Sequence, residues 1–103
     1  VVAYCLGELT IGDRVSVSQG AHLCAGTHDY TCETMPLLRL SISIENDAWI
    51  AADAFIGPGV TIGEGAILGA RGVAMKDLDA MTIYAGNPAK SIKARPPINA
   101  KND

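Results

Sequence analysis

Apolar residues recur along this chain every six positions. Written in blocks from Cys5, the sequence reads CLGELT, IGDRVS, VSQGAH, LCAGTH, and after an interruption IENDAW, IAADAF, IGPGVT, IGEGAI, LGARGV. The first position is Cys5, Ile11, Val17 and Leu23, then Ile44, Ile50, Ile56, Ile62 and Leu68. The fifth is mostly small or aliphatic: Leu9, Val15, Ala21, Thr27, Ala48, Ala54, Val60, Ala66, Gly72. Glycine is frequent at the second, and weaker blocks from Leu38 and Ala74 keep the phase. A period of six is neither the 3.6 of a helix nor the 2 of a plain strand. Gly and Pro inside the window oppose a helix, and the corners come too often for a hairpin-built sandwich. The pattern predicts a coil of very short strands, each sending one large aliphatic side chain inward. Such coils bury their apolar face only by stacking on one another.

Composition narrows the chemistry. The 103 residues make one domain, 49% hydrophobic, which excludes a disordered chain. Only 5% are aromatic, so the core must be narrow and aliphatic. A net charge of -3 argues against a nucleic-acid or anionic-membrane partner. No apolar run reaches the roughly 18 to 20 residues of a membrane span, and no signal peptide is visible. The chain opens on Val1-Val2 without methionine, which suggests a missing upstream piece. Cys5, Cys24 and Cys32 lack CxxC spacing. They predict free thiols in a reducing cytoplasm, with neither a disulfide framework nor a metal site.

AHLCAGTHDY, WIAADAFIGPGVTIGEGAILGARGVAMKD and AGNPAKSIK resemble the hexapeptide-repeat sugar O-acetyltransferases, nearest the colanic-acid and exopolysaccharide type, with the maltose and galactoside acetyltransferases as cousins. The likeness runs from about Cys5 to Lys93. It implies an all-β fold, a left-handed parallel β-helix with three hexads per triangular coil; periodicity alone gives no handedness. The expected organisation is a repeat domain over 1–86, a loop excursion at about 29–43 and a C-terminal tail over 87–103. The eleven blocks would make three to four coils, fewer than in a complete member. The resemblance also implies a homotrimer with its active sites between subunits.

The repeat breaks after His28, the sixth residue of its block and the expected rim of a coil, in the run Gly26-Thr27-His28-Asp29-Tyr30. Excursions from a regular scaffold are where chemistry tends to sit. A sugar hydroxyl attacking a thioester must lose its proton, and imidazole, with an unperturbed pKa of about 6.5, suits that role. The resemblance implies His28 as the catalytic base. A carboxylate or backbone carbonyl on its other ring nitrogen would fix the tautomer; Asp29 and Glu33 are the local candidates. His22 reads as surface or subunit interface, Cys24 as a small packing residue rather than a nucleophile, and Cys32 as a candidate lining of the acceptor pocket.

A thioester donor means coenzyme A. Its long amide-bearing arm needs close backbone approach, which Ala51, Ala52, Gly69, Ala70 and Gly72 permit. Ala52 and Ala70 lie three hexads apart and should stack on one wall, where the resemblance implies backbone contacts to the cofactor. Lys76, Lys90, Lys93 and Arg95 form a basic cluster fit for phosphates, and the resemblance singles out the three lysines. The resemblance further assigns Pro88, in a GNPA turn, to a position beside the adenine, and Trp49 to the cleft. Arg71 stands where relatives have glycine, and Met75 where a threonine touches the cofactor. The reading is acetyl-CoA-dependent O-acetylation of a sugar, in exopolysaccharide biosynthesis, by direct attack with His28 as base. Alternatives are a serine or N-acyl transferase of the same fold and a non-catalytic trimerisation scaffold. A metal-dependent hydratase would need three histidines, and the chain has two.

Overall fold

The computed structural model describes residues 2–4 and 7–99, so Cys5 lies outside the described residues. These form fourteen short strands, eleven of them wound around three faces. The first face stacks β1 (Val2–Tyr4), β4 (His22–Cys24), β9 (Phe55–Ile56) and β12 (Val73–Ala74). The second stacks β2 (Leu9–Ile11), β7 (Ile42–Ile44) and β10 (Thr61–Ile62), with Leu78 bridging to Ile62. The third stacks β3 (Ser16–Val17), β8 (Trp49–Ile50), β11 (Ile67–Leu68) and β13 (Thr82–Ala85). All these pairings are parallel, and Phe55↔Val73, Ser43↔Thr61 and Trp49↔Ile67 each step three hexads along the chain, one full coil. Among the described residues no helix is long and apolar enough to cross a membrane.

The repeat explains the core directly. First-position residues Ile44, Ile50, Ile56, Ile62 and Leu68 and fifth-position Ala48, Ala54, Val60 and Ala66 are all at most 2% exposed. Ile11, the matching residue of the first coil, is 47% exposed. At the other end Tyr84 closes the core, its hydroxyl accepting the Asp79 N–H at 3.0 Å. Corners stack as the strands do. The fourth hexad residue takes a positive φ at each regular corner: Arg14, Gly20, Asp47, Asp53, Gly59, Gly65 and Arg71. Three of those seven are glycine, and Asp47 and Asp53 are of a type that tolerates this region.

The excursion starts and ends earlier than the sequence suggests. Extended from Leu23↔Ile56 and Ser43↔Thr61, the register brings Ala25 and Leu40 to the same level of the coil, that of Pro58, so 26–40 are the added residues rather than about 29–43. They form an antiparallel hairpin of β5 (Gly26–His28) and β6 (Leu37–Arg39). It is anchored where the Ala25 carbonyl accepts N–H groups from Gly7 and Leu40. His28 thus lies on a projecting strand, not on the rim of a coil. Within the C-terminal tail, β14 (Lys90–Ala94) pairs antiparallel with β13 after a cis Asn87-Pro88 bond.

Candidate active site

His28 sits at the end of β5, exposed, opposite Leu37. Its Nδ1 lies 2.7 Å from the Met35 carbonyl oxygen. A carbonyl only accepts, so Nδ1 carries a proton, and in the neutral ring the lone pair is on Nε2. Met35 adopts φ 49°, turning its carbonyl inward across the hairpin. The loop is braced by Asp29 N–H to Pro36 O at 2.9 Å and Met35 N–H to Cys32 O at 3.1 Å.

The orienting group is therefore neither Asp29 nor Glu33. The Asp29 carboxylate accepts from the Thr31 hydroxyl, from the Thr31 N–H at 3.0 Å and from the Cys32 thiol at 3.5 Å. Those bonds, the Thr31 hydroxyl foremost, hold its carboxyl below the usual value. Cys32 is exposed but engaged with Asp29. Cys24 gives its thiol to the Gly26 carbonyl at 3.3 Å, at the root of the hairpin. His22 faces outward against Phe55, ring centroids 5.4 Å apart, and does not stack on His28.

A cavity of about 380 Å³ lies at the C-terminal end of the first face, and Met75, Lys76, Pro88 and Lys90 all line it, with Leu78 and Tyr84 behind. Four of the residues expected at the donor site thus converge from two separate stretches of sequence. Lys93 stands on β14 opposite Ile83, outside this lining. Ala52 and Ala70 do stack, with the Arg71 N–H donating to the Ala52 carbonyl at 2.9 Å. They occupy the edge between the third and first faces, whereas Lys76 and the hairpin share the edge between the first and second.

Trp49 is on the third face, 44% exposed, with its indole N–H on the Ser18 hydroxyl at 2.9 Å. It lines a separate cavity of about 310 Å³ with Arg14, Asp47, Arg95 and Ile98. Arg95 does not join the lysines. Its Nη1 donates to the Asp47 and Gly65 carbonyls at 2.8 and 3.0 Å, strapping the chain's end down a column of corners. Among the described residues no group of three or more His, Cys, Asp or Glu could hold a metal ion.

Three stacked faces repeating every third hexad, aliphatic at each first position, define a hexapeptide-repeat solenoid. Residues 41–73 match the bacterial transferase hexapeptide (six repeats) model, so over this stretch the chain carries the hexapeptide repeat of that family. It is 42% identical over 92 residues to WcaF of Escherichia coli K12, whose name provisionally assigns it to acetyl transfer in colanic acid biosynthesis; the match covers 89% of this chain and 50% of WcaF. Among solved structures, a maltose O-acetyltransferase from Clostridium difficile 630 superposes with a TM-score of 0.80 at 27% identity, over 86% of this chain and 49% of that one. A variant of AntD, an N-acyltransferase from Bacillus cereus in complex with dTDP-4-amino-4,6-dideoxyglucose and coenzyme A, superposes with a TM-score of 0.78 at 26% identity, over 86% and 53%. The chain spans about half the length of the relatives it matches.

Proposed function

We propose that this protein is a cytoplasmic, acetyl-CoA-dependent O-acetyltransferase acting on a sugar hydroxyl in exopolysaccharide biosynthesis. The observation that carries the reading is the 2.7 Å contact from His28 Nδ1 to the Met35 carbonyl, which leaves Nε2 as an exposed base. Nε2 accepts the hydroxyl proton as the sugar oxygen bonds to the thioester carbonyl carbon. The tetrahedral adduct collapses, the carbon–sulfur bond breaks, and the thiolate takes the proton from the imidazolium. No covalent enzyme intermediate is needed. Acetyl-CoA supplies the activated acetyl group; the role of the chain is to hold it.

The cavity is suited to holding the donor. Apolar walls from Leu78, Tyr84 and Pro88 fit an adenine, and Lys76 and Lys90 fit its phosphates. Met75 offers a thioether in place of a hydroxyl, so contact there is apolar. The resemblance also gives Lys93 and Trp49 to the donor, although both lie outside this cavity. Ala52 and Ala70 would hold the arm by backbone contacts, but on a different edge from Lys76. A homotrimer, edge against edge, would join the two halves of the site. The coil is left-handed in this reading, as the resemblance implies. Likeness to an N-acyltransferase supports one alternative, an amino-sugar acceptor, for which the same base would serve.

A thermal-shift titration tests the donor. Acetyl-CoA at 100 times its dissociation constant should stabilise the fold by about 2.7 kcal/mol, on the order of 10 °C for a chain of this size. Lys76→Ala should weaken that response about tenfold in concentration. No shift with acetyl-CoA, with no thiol release on any sugar or amino sugar, would favour the scaffold reading.

A further inference from the structure

The hairpin pairs Gly26 with Arg39, Thr27 with Leu38 and His28 with Leu37. Side chains alternate along a strand, and directly opposed residues share a face. His28, Leu37 and Arg39 therefore lie on one face of the hairpin, Thr27 and Leu38 on the other. Arg39 stands opposite a glycine, so no cross-strand side chain covers its stem. Diagonal neighbours on such a ladder sit about 7–8 Å apart, a span that a long side chain closes.

The guanidinium of Arg39 is also uncommitted. Arg14 is spent on Asp47 and Arg95 on two backbone carbonyls. Arg39 is exposed and has no side-chain hydrogen bond or ion pair with any described residue. The carboxylate of Asp29, beside His28 in the chain, is turned onto Thr31 and Cys32. Leu37, directly opposite His28 and two residues from Arg39 on the same strand, is 52% exposed, an apolar floor of the kind the carbon face of a sugar ring can rest on.

We propose, resting on the acyltransferase reading above, that this hairpin face seats the acceptor and that Arg39 determines its class: a sugar carrying an oxyanionic substituent, carboxylate or phosphate, beside the hydroxyl that His28 deprotonates. The planar fork of a guanidinium matches the two oxygens of either group. Arg39 acts on binding and specificity and takes no part in proton transfer.

The test compares initial rates of the full chain at saturating acetyl-CoA on three sets of probes. These are the methyl glycosides of glucose and galactose, the matching methyl uronides, and the matching 1-phosphates. The expected result is a roughly 10- to 100-fold higher kcat/KM for an anionic set over the neutral one, the worth of one charge-assisted hydrogen bond or two. Which anionic set leads identifies carboxylate or phosphate. Arg39→Gln should erase the preference through the acceptor KM, leaving kcat and the acetyl-CoA KM unchanged, and Arg39→Lys should restore part of it. Equal use of neutral and anionic sugars would overturn the proposal, as would an Arg39→Gln loss that falls equally on all acceptors. Acetylation of none of the probes would overturn this proposal and, where acetyl-CoA also gives no thermal shift, the acyltransferase reading beneath it.

Discussion

The coil from Ile42 to Tyr84 and the hairpin from Gly26 to Arg39 are held together on different terms. In the coil each strand stacks in parallel on a copy of itself, inward side chains are at most 9% exposed, and backbone pairings recur three hexads along the chain. The hairpin has a single ladder, Gly26 to His28 against Leu37 to Arg39, and every residue from Tyr30 to Ser41 is exposed. Yet the hairpin holds the candidate base. Repetition gives stiffness without individuality; in the proposed mechanism the chemistry falls where the repetition lapses and local hydrogen bonds do the positioning. That division predicts that the two regions can be damaged separately.

The largest effect should come from removing the hairpin. Deleting 26–40 joins Ala25 to Ser41, and His22 then meets its partner Phe55 at the same three-hexad interval that relates Phe55 to Val73. Acetyl transfer should disappear, with a melting temperature within a few degrees of the parent. A deletion variant that fails to fold would mean the hairpin is part of the scaffold. Next come point changes in each region. Ile50→Ala, fully buried, should lose about 2–5 kcal/mol. Leu38→Ala on the hairpin, 38% exposed, should lose about 0.5 kcal/mol or less in the same urea titration. Equal losses would erase the distinction between the regions.

A finer probe lies within the coil. A Cβ on Gly63 would sit 2.6 Å from the Ala80 nitrogen and 2.8 Å from the Leu78 carbonyl oxygen, both backbone. Gly63→Ala should therefore destabilise by about 1–3 kcal/mol. On Gly69 the nearest atom is 3.3 Å away, and Gly69→Ala should be milder in the same titration.

The smallest effect concerns pH. The Arg14 guanidinium, hydrogen-bonded to Asp47 at 2.7 Å, holds that carboxyl below its ordinary 3.8, against an opposing effect of partial desolvation. A depressed folded value means the stabilisation is complete above about pH 3.8 and is lost as pH falls through the lowered value. The stability gap between the parent and Arg14→Gln should be flat above that pH and close below it, as followed by acid unfolding. A gap that widens on acidification would reverse the sign.

How much of this is legible in the sequence follows the same boundary. The inward column Ile44-Ile50-Ile56-Ile62-Leu68 can be read because each residue repeats the environment of the last. The convergence of Lys76 with Pro88 and Lys90 also follows from motifs. The positive-φ fourth position is hidden because Arg14, Asp47, Asp53 and Arg71 disguise a conformation that glycine would have advertised. Gly26-Thr27-His28 and Leu37-Leu38-Arg39 carry no alternation of polarity, so the bounds of the hairpin differ from those the repeat suggests. The partner of His28 is a backbone carbonyl, which has no letter in a sequence; the carboxylates at Asp29 and Glu33 draw attention because they do. The charge of Arg95 points to phosphates, whereas its position after β14 commits it to the Asp47 and Gly65 carbonyls.

The most direct measurement is the turnover of His28→Ala beside the parent, with acetyl-CoA binding measured calorimetrically on both. The account predicts that kcat falls by about 10²- to 10⁴-fold while donor affinity and melting temperature stay within error. A variant with parental turnover would contradict the assignment of His28 as the base, and with it the claim that the hairpin is the chemical part of the molecule.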